Sequence, residues 1–127
     1  MDRVVRKRPK YLNLFQIKLP IAGFASILHR ISGFGLFLML PFLIWLLELS
    51  LGSRESFESL QAIVSHPLAK LLLIGLLWAF LHHFCMGIRI LLIDIHVGVD
   101  KAQASNSAKM VLAVSLPMTL ILGAKLW

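Results

Sequence analysis

Two groups of polar residues stand inside long apolar runs of this chain, and their spacing is what could do chemistry. The first is "SILHRISG", Ser26 to Gly33. At about 100° per residue in a helix, Ser26, His29, Arg30 and Gly33 share an arc of roughly 100°. That face carries a hydroxyl, an imidazole and a permanently charged guanidinium beside a notch. Gly33 has no side chain, so a flat ligand or a neighbouring helix can come close. The second group is "WAFLHHFCMGIRILLID", Trp78 to Asp94. His82 and His83 point about 100° apart, so a single metal cannot readily take both. His83 and Gly87 are four residues apart and lie one above the other. An imidazole with a bare spot beside it suits a planar macrocycle carrying iron.

The same residues have plainer uses. Arg30 can snorkel to headgroups, and Ser26 can serve as helix-packing glue. His82 is expected to face headgroups or a neighbour's carbonyl, and His83 by itself can also simply pack. Lys70 and Lys125 fit anchors near span ends, while Trp45 and Trp127 fit an interfacial belt. Trp78, Cys85 and the five methionines read as packing residues.

The elements that must position these groups are written in the composition. Of 127 residues, 58% are hydrophobic and 15% charged. A soluble domain would be about a quarter charged, so the chain reads as a membrane protein. Apolar runs cover Ile31 to Leu47 (extendable back to Ala22), Leu68 to Ile93, and Met110 to Ala124. A helix needs about 20 apolar residues to cross a bilayer. No ten-residue alternation suggests a barrel, so helices close the backbone hydrogen bonds. The expected fold is all-α: one transmembrane domain over 1–127 with spans at about 22–48, 67–93 and 106–127. The segment between the first two spans reads as a loop with a short amphipathic helix, whose period Ser56 with Ser59 and Phe57 with Leu60 fit. Pro67 is placed to open the second span. "HVGVDKAQASNSAK" reads as a polar connection to the third.

The formal charge is +7, and its distribution sets an orientation. Arg3, Arg6, Lys7, Arg8, Lys10, Lys18 and Arg30 face a single acid, Asp2, whereas Glu48, Glu55 and Glu58 gather against Arg54 in the first loop. The positive-inside rule puts the N-terminus in the cytoplasm and the C-terminus on the opposite side. His83, Arg89 and Asp94 then share a membrane side with Ser26, His29 and Arg30. A basic tail ahead of membrane spans points to anionic lipid, not nucleic acid. The first apolar run is too long for a signal peptide and lacks a small-residue cleavage site. Cys85 lies in a span and has no partner in the chain for a disulfide.

At these residues the chain resembles a known family. "RPKYLNLFQIKLPIAGFASILHRISG" is similar to the N-terminal signature of the cytochrome b membrane-anchor subunit of succinate dehydrogenase. "HFCMGIRILLID" looks like that family's second signature, and the order, separation and three-span layout agree. The resemblance covers most of the chain, with the third helix matching only in general character. It departs at Ala22, often threonine in the family, and at Ile90, where many relatives have histidine.

What the resemblance implies is specific. Ser26 and Arg30 match quinone-site residues, His29 and Arg30 match groups near haem propionates, and His83 matches an axial ligand of haem b. The quinone would be ubiquinone or menaquinone, accepting electrons from succinate through a flavoprotein subunit and an iron–sulfur subunit. Iron with two histidine ligands needs a second imidazole. With His82 turned away and His66 and His96 in loops, it is expected from a second small membrane-anchor subunit, which would share the haem. The expected location is the bacterial inner membrane. A fumarate-reducing anchor is the alternative. A passive anchor without cofactor is a further one. A proton-coupled transporter is disfavoured because Glu48 and Asp94 sit only at span ends.

Overall fold

The computed structural model describes residues 10, 11, 13 and 15–127. Asp2, Arg3, Arg6, Lys7 and Arg8 of the basic tail lie outside the described residues, as do Leu12 and Leu14 of the first signature. Four helices follow in order: α1 Ile21–Leu51, α2 Arg54–Ser65, α3 Pro67–Asp94 and α4 Lys101–Leu126. No strand occurs among the described residues, and α1, α3 and α4 are each long and apolar enough to cross a membrane.

Each helix begins and ends for a local reason. Pro20 precedes α1 in an extended conformation, which its ring favours and which leaves no donor to orphan. The Ser53 hydroxyl caps α2 by accepting from the Ser56 backbone N–H at 3.2 Å. Glu55 in the first turn of α2 complements the helix dipole. The short helix is tied back to α1 by the Ser56 hydroxyl, which donates to the Leu49 carbonyl at 3.0 Å. His66 ends α2 and caps α3, accepting from the Leu68 N–H at 3.2 Å through Nδ1. Pro67 opens α3 at its first position, where a missing N–H costs nothing.

The end of α3 is a Schellman turn. Val97 N–H donates to the Leu92 carbonyl and His96 N–H to the Ile93 carbonyl, each at 2.9 Å. His96 takes the left-handed position with φ of 64°, a place usually filled by glycine. Gly98, also at positive φ, completes the reversal. The polar connection is shorter than its composition suggests. Helix α4 starts at Lys101, so Lys101 to Lys109 is helical although polar. Alanine, glutamine and lysine continue a helix well in an aqueous or interfacial setting, and hydropathy reports only the apolar part. Trp127 lies just beyond the end of α4, and the Lys70 ammonium stands 5.9 Å from its ring centroid.

Helix α3 packs between α1 and α4. Ala25, Met86, Ala108 and Val111 form the buried apolar centre; the alanines let the three backbones approach. Much of the remaining apolar surface is exposed, including Phe34, Phe37, Leu38, Leu71, Phe84, Leu120 and Ile121. In a bilayer that surface meets lipid tails. Arg89 does not join the exposed cations at the helix end. It is buried, donating from Nε to the Ser107 hydroxyl at 2.9 Å and from the guanidinium to the Ala104 carbonyl at 3.0 Å. Leaving those donors unpaired in an apolar setting would be costly, so Arg89 clamps α3 to α4.

Candidate functional site

The centre of interest is the seam where α1 crosses α3. Ala25, His29 and Ser32 recur at helical spacing on α1 and face α3, with Gly33 at the edge of the same stripe. From α3, His83 reaches into this seam. Its Nδ1 lies 3.1 Å from the His29 carbonyl oxygen and 3.3 Å from the Ser32 hydroxyl oxygen. Its ring stacks on that of His29, with centroids 4.2 Å apart and an interplanar angle of 18°. Gly33 makes the approach possible. A Cβ at that position would stand 2.7 Å from His83 Cε1 and 3.1 Å from Nδ1. The notch expected to admit a flat ligand or a neighbouring helix thus receives the imidazole of that helix.

The hydrogen bonds fix which nitrogen carries the proton. Ser32 donates its only hydroxyl hydrogen to the His29 carbonyl, at 2.8 Å. Both groups at Nδ1 are therefore acceptors, so Nδ1 must be the donor. The lone pair is left on Nε2. Among the described residues no hydrogen bond engages that atom. Gly87, one turn further along α3, has open space where a Cβ would be. A held Nδ1–H, a free Nε2 and a clear helix surface beside it fit an iron-bearing macrocycle.

His82 has a different environment. It is fully buried, with Nε2 3.4 Å from the Ala25 carbonyl oxygen and the Trp78 ring 5.3 Å away. It therefore faces a carbonyl of α1 one turn before His29, and its Nε2 is engaged there, whereas His83 Nε2 is not.

The sequence-selected residues of α1 divide. His29 and Gly33 turn toward His83, whereas Ser26 is half-buried and Arg30 exposed on the flank. Among the described residues the one ion pair is Arg54–Glu58, so the Arg30 guanidinium meets no carboxylate there. No group of three or more metal-ligating side chains occurs among the described residues. His29 covers the face of the His83 ring and does not approach its Nε2 by a hydrogen bond. Ser32 is a member of the site that the motif spacing does not single out. Its one signal in the sequence is its position three residues after His29 on the same helix face.

The chain has clear relatives among known proteins. A family model described as succinate dehydrogenase/fumarate reductase transmembrane subunit matches residues 5–122. The chain is 36% identical over 122 residues to the succinate dehydrogenase cytochrome b556 subunit of Coxiella burnetii, covering 95% of this chain and 98% of that protein. It is 30% identical over 121 residues to the protein of the same name from Rickettsia felis, covering 95% and 94%. The corresponding protein of Paracoccus denitrificans is 29% identical over 114 residues, covering 90% and 88%.

Proposed function

The chain belongs to the succinate dehydrogenase/fumarate reductase transmembrane-subunit family, and from that premise we propose that it is the cytochrome b anchor of a succinate:quinone oxidoreductase. In this reading His83 is an axial ligand of haem b, and a quinone is reduced beside Ser26 and Arg30. The observation that carries it is the His83 imidazole, with Nδ1–H held between two acceptors and Nε2 free to bind a metal. The relatives' cytochrome names and the open surface at Gly87 support it further.

Bound there, the haem supplies a one-electron centre whose potential depends on its axial ligands. The chain's own residues do the rest. His83, its ring fixed through Nδ1, would hold the iron at Nε2. His29 and Arg30 offer cationic or donor groups to the propionates. A quinone carbonyl gains negative charge as it is reduced, and the Arg30 guanidinium stays charged throughout while the Ser26 hydroxyl can donate to the same oxygen. Arg30 is exposed at the end of the seam, which suits the delivery of protons from water.

The second imidazole comes from a second small membrane subunit. His82 is engaged with Ala25, His29 covers a ring face, and His66 and His96 lie beyond the two ends of α3. Electrons arrive from succinate through a flavoprotein and an iron–sulfur subunit docked on the side of Ser26 and Arg30. Lys10, Lys18 and Arg30 at one end against Glu48, Glu55 and Glu58 at the other support a cytoplasmic N-terminus and an opposite C-terminus. The single transmembrane domain lies in a bacterial inner membrane, with spans of about 22–48, 67–93 and 106–127. The family description also covers fumarate reductases, in which the same arrangement would pass electrons from quinol. The relatives' names favour the succinate direction.

The test is His83→Ala in the assembled complex, read by the reduced-minus-oxidised haem spectrum. Loss of the haem bands is expected. An unchanged spectrum would leave the passive-anchor reading in its place. The chain purified without its partners is expected to hold haem weakly or not at all, because one of the two ligands is missing; tight low-spin haem in that sample contradicts the shared site.

A further inference from the structure

Resting on the reading of His83 as a haem ligand, we infer that Ser32 is a positioning residue that sets the potential of the metal bound at His83. Its hydroxyl and the His29 carbonyl share the Nδ1–H of the imidazole, and this double acceptance determines how strongly Nε2 donates to iron. Three observations carry the inference. Ser32 is 5% exposed, so its oxygen has little competition from solvent. Its own hydrogen is committed to the His29 carbonyl at 2.8 Å, which leaves the oxygen able only to accept from Nδ1 at 3.3 Å. The ring is seated in the notch that Gly33 leaves, its Cε1 standing 2.7 Å from where a Cβ of residue 33 would be, which keeps Nδ1 beside Ser32.

The chemistry follows from polarisation. An acceptor at Nδ1–H draws the proton outward and gives the ring partial imidazolate character. The Nε2 lone pair then becomes a stronger donor, as it does for metal-bound histidines held by carbonyls or carboxylates. Stronger donation favours the oxidised iron and lowers the potential. When Ser32 donates to the His29 carbonyl its oxygen becomes a better acceptor, because chained hydrogen bonds polarise one another.

Ser32 therefore has a role distinct from holding the fold. With Ser32→Ala, the His29 carbonyl still accepts from Nδ1 and keeps the tautomer, so the haem is retained. What is lost is the second of the two acceptors at Nδ1–H, and the potential should rise. With Ser32→Thr the hydroxyl returns, because a helical threonine can make the same bond to a carbonyl three residues earlier.

The experiment is potentiometric titration of the haem in the assembled complex, following the reduced absorption band in wild type, Ser32→Ala and Ser32→Thr. Expected are equal haem content in all three, a higher midpoint in Ser32→Ala, and a midpoint close to wild type in Ser32→Thr. Coincident midpoints for wild type and Ser32→Ala would overturn the inference while leaving His83 as the ligand. His83→Ala serves as the control. Retention of haem in that variant would instead overturn the reading on which the inference rests. Should Ser32→Ala fail to assemble, Ser32→Cys decides: a thiol is a weaker acceptor than a hydroxyl, so a raised midpoint is expected, and a midpoint equal to wild type would overturn the inference.

Discussion

His82 and His83 are neighbours in the chain, one step apart around α3, and they meet opposite environments. The His82 ring lies at the centre of the three long helices, fully buried, with Nε2 facing the Ala25 carbonyl and Nδ1 left without a partner among the described residues. The His83 ring lies at the seam with α1, half-buried, with Nδ1 doubly held and Nε2 free. A turn of about 100° separates a histidine absorbed by packing from one that can serve a ligand. The comparison shows that residue type and membrane depth, which the two share, do not identify a ligand. What distinguishes the two is which nitrogen is satisfied, Nε2 in His82 and Nδ1 in His83.

The largest difference should appear when each histidine is removed in turn. In the assembled complex His83→Ala is expected to abolish the haem spectrum. His82→Leu is expected to preserve it, at a cost to thermal stability of about 1–3 kcal/mol from altered packing. Haem loss in both variants at equal protein content would mean that the two sites are not separable.

A smaller contrast separates the two glycines beside His83. Gly33 faces the ring of His83, whereas Gly87 faces open space. Gly33→Ala should displace the imidazole and destabilise the α1–α3 seam by about 1–3 kcal/mol, the usual range for overpacking. Gly87→Ala meets nothing among the described residues, and alanine favours helix over glycine by about 0.5–1 kcal/mol. Chain stability should hold or improve while haem content falls, because only a bound macrocycle would meet the new methyl group. Melting of the helical circular dichroism signal, measured alongside haem content, distinguishes the two. Full haem content in Gly87→Ala would show that the ring edge lies elsewhere.

These contrasts also separate what the sequence encodes locally from what depends on how the helices dock. Hydropathy and length give three spanning helices, and the Ser53 cap, the amphipathic stretch after Arg54 and the proline at 67 are local signals that the structure follows. The polar faces of α1 and α3 are legible for the same reason, since helical spacing is local. The rotation of one helix against another is not. Ser26, His29, Arg30 and Gly33 share one arc by spacing alone, yet α3 packs against the His29 side and leaves Arg30 exposed on the flank. The His29–His83 stack, the role of Ser32 and the burial of Arg89 by α4 all depend on that rotation. The start of α4 at Lys101 is hidden because its first two turns are polar, and apolar periodicity cannot report a helix where no lipid or core requires it.

The smallest expected effect concerns the unsatisfied side of His82. Arg89 of α3 meets Ser107 of α4, and Ile74 of α3 lies against Gly123. Ser115 is midway between the two α4 positions, which places it at the level of residues 81 and 82. It is fully buried, and its hydroxyl, like His82 Nδ1 and Trp78 Nε1, has no partner among the described residues. Its backbone carbonyl accepts from the Thr119 hydroxyl at 2.7 Å, a bond that Ser115→Ala retains. Removing an unpaired buried hydroxyl removes a desolvation cost of about 1–3 kcal/mol and loses one small contact. Ser115→Ala should therefore leave the thermal midpoint of the complex unchanged or slightly raised, with the haem spectrum intact. A loss of stability of more than about 1 kcal/mol, the typical worth of one buried hydrogen bond, would mean that the hydroxyl is paired after all. His82 Nδ1 is the acceptor at that level, and the contrast between the two histidines would then narrow to the side from which each is held.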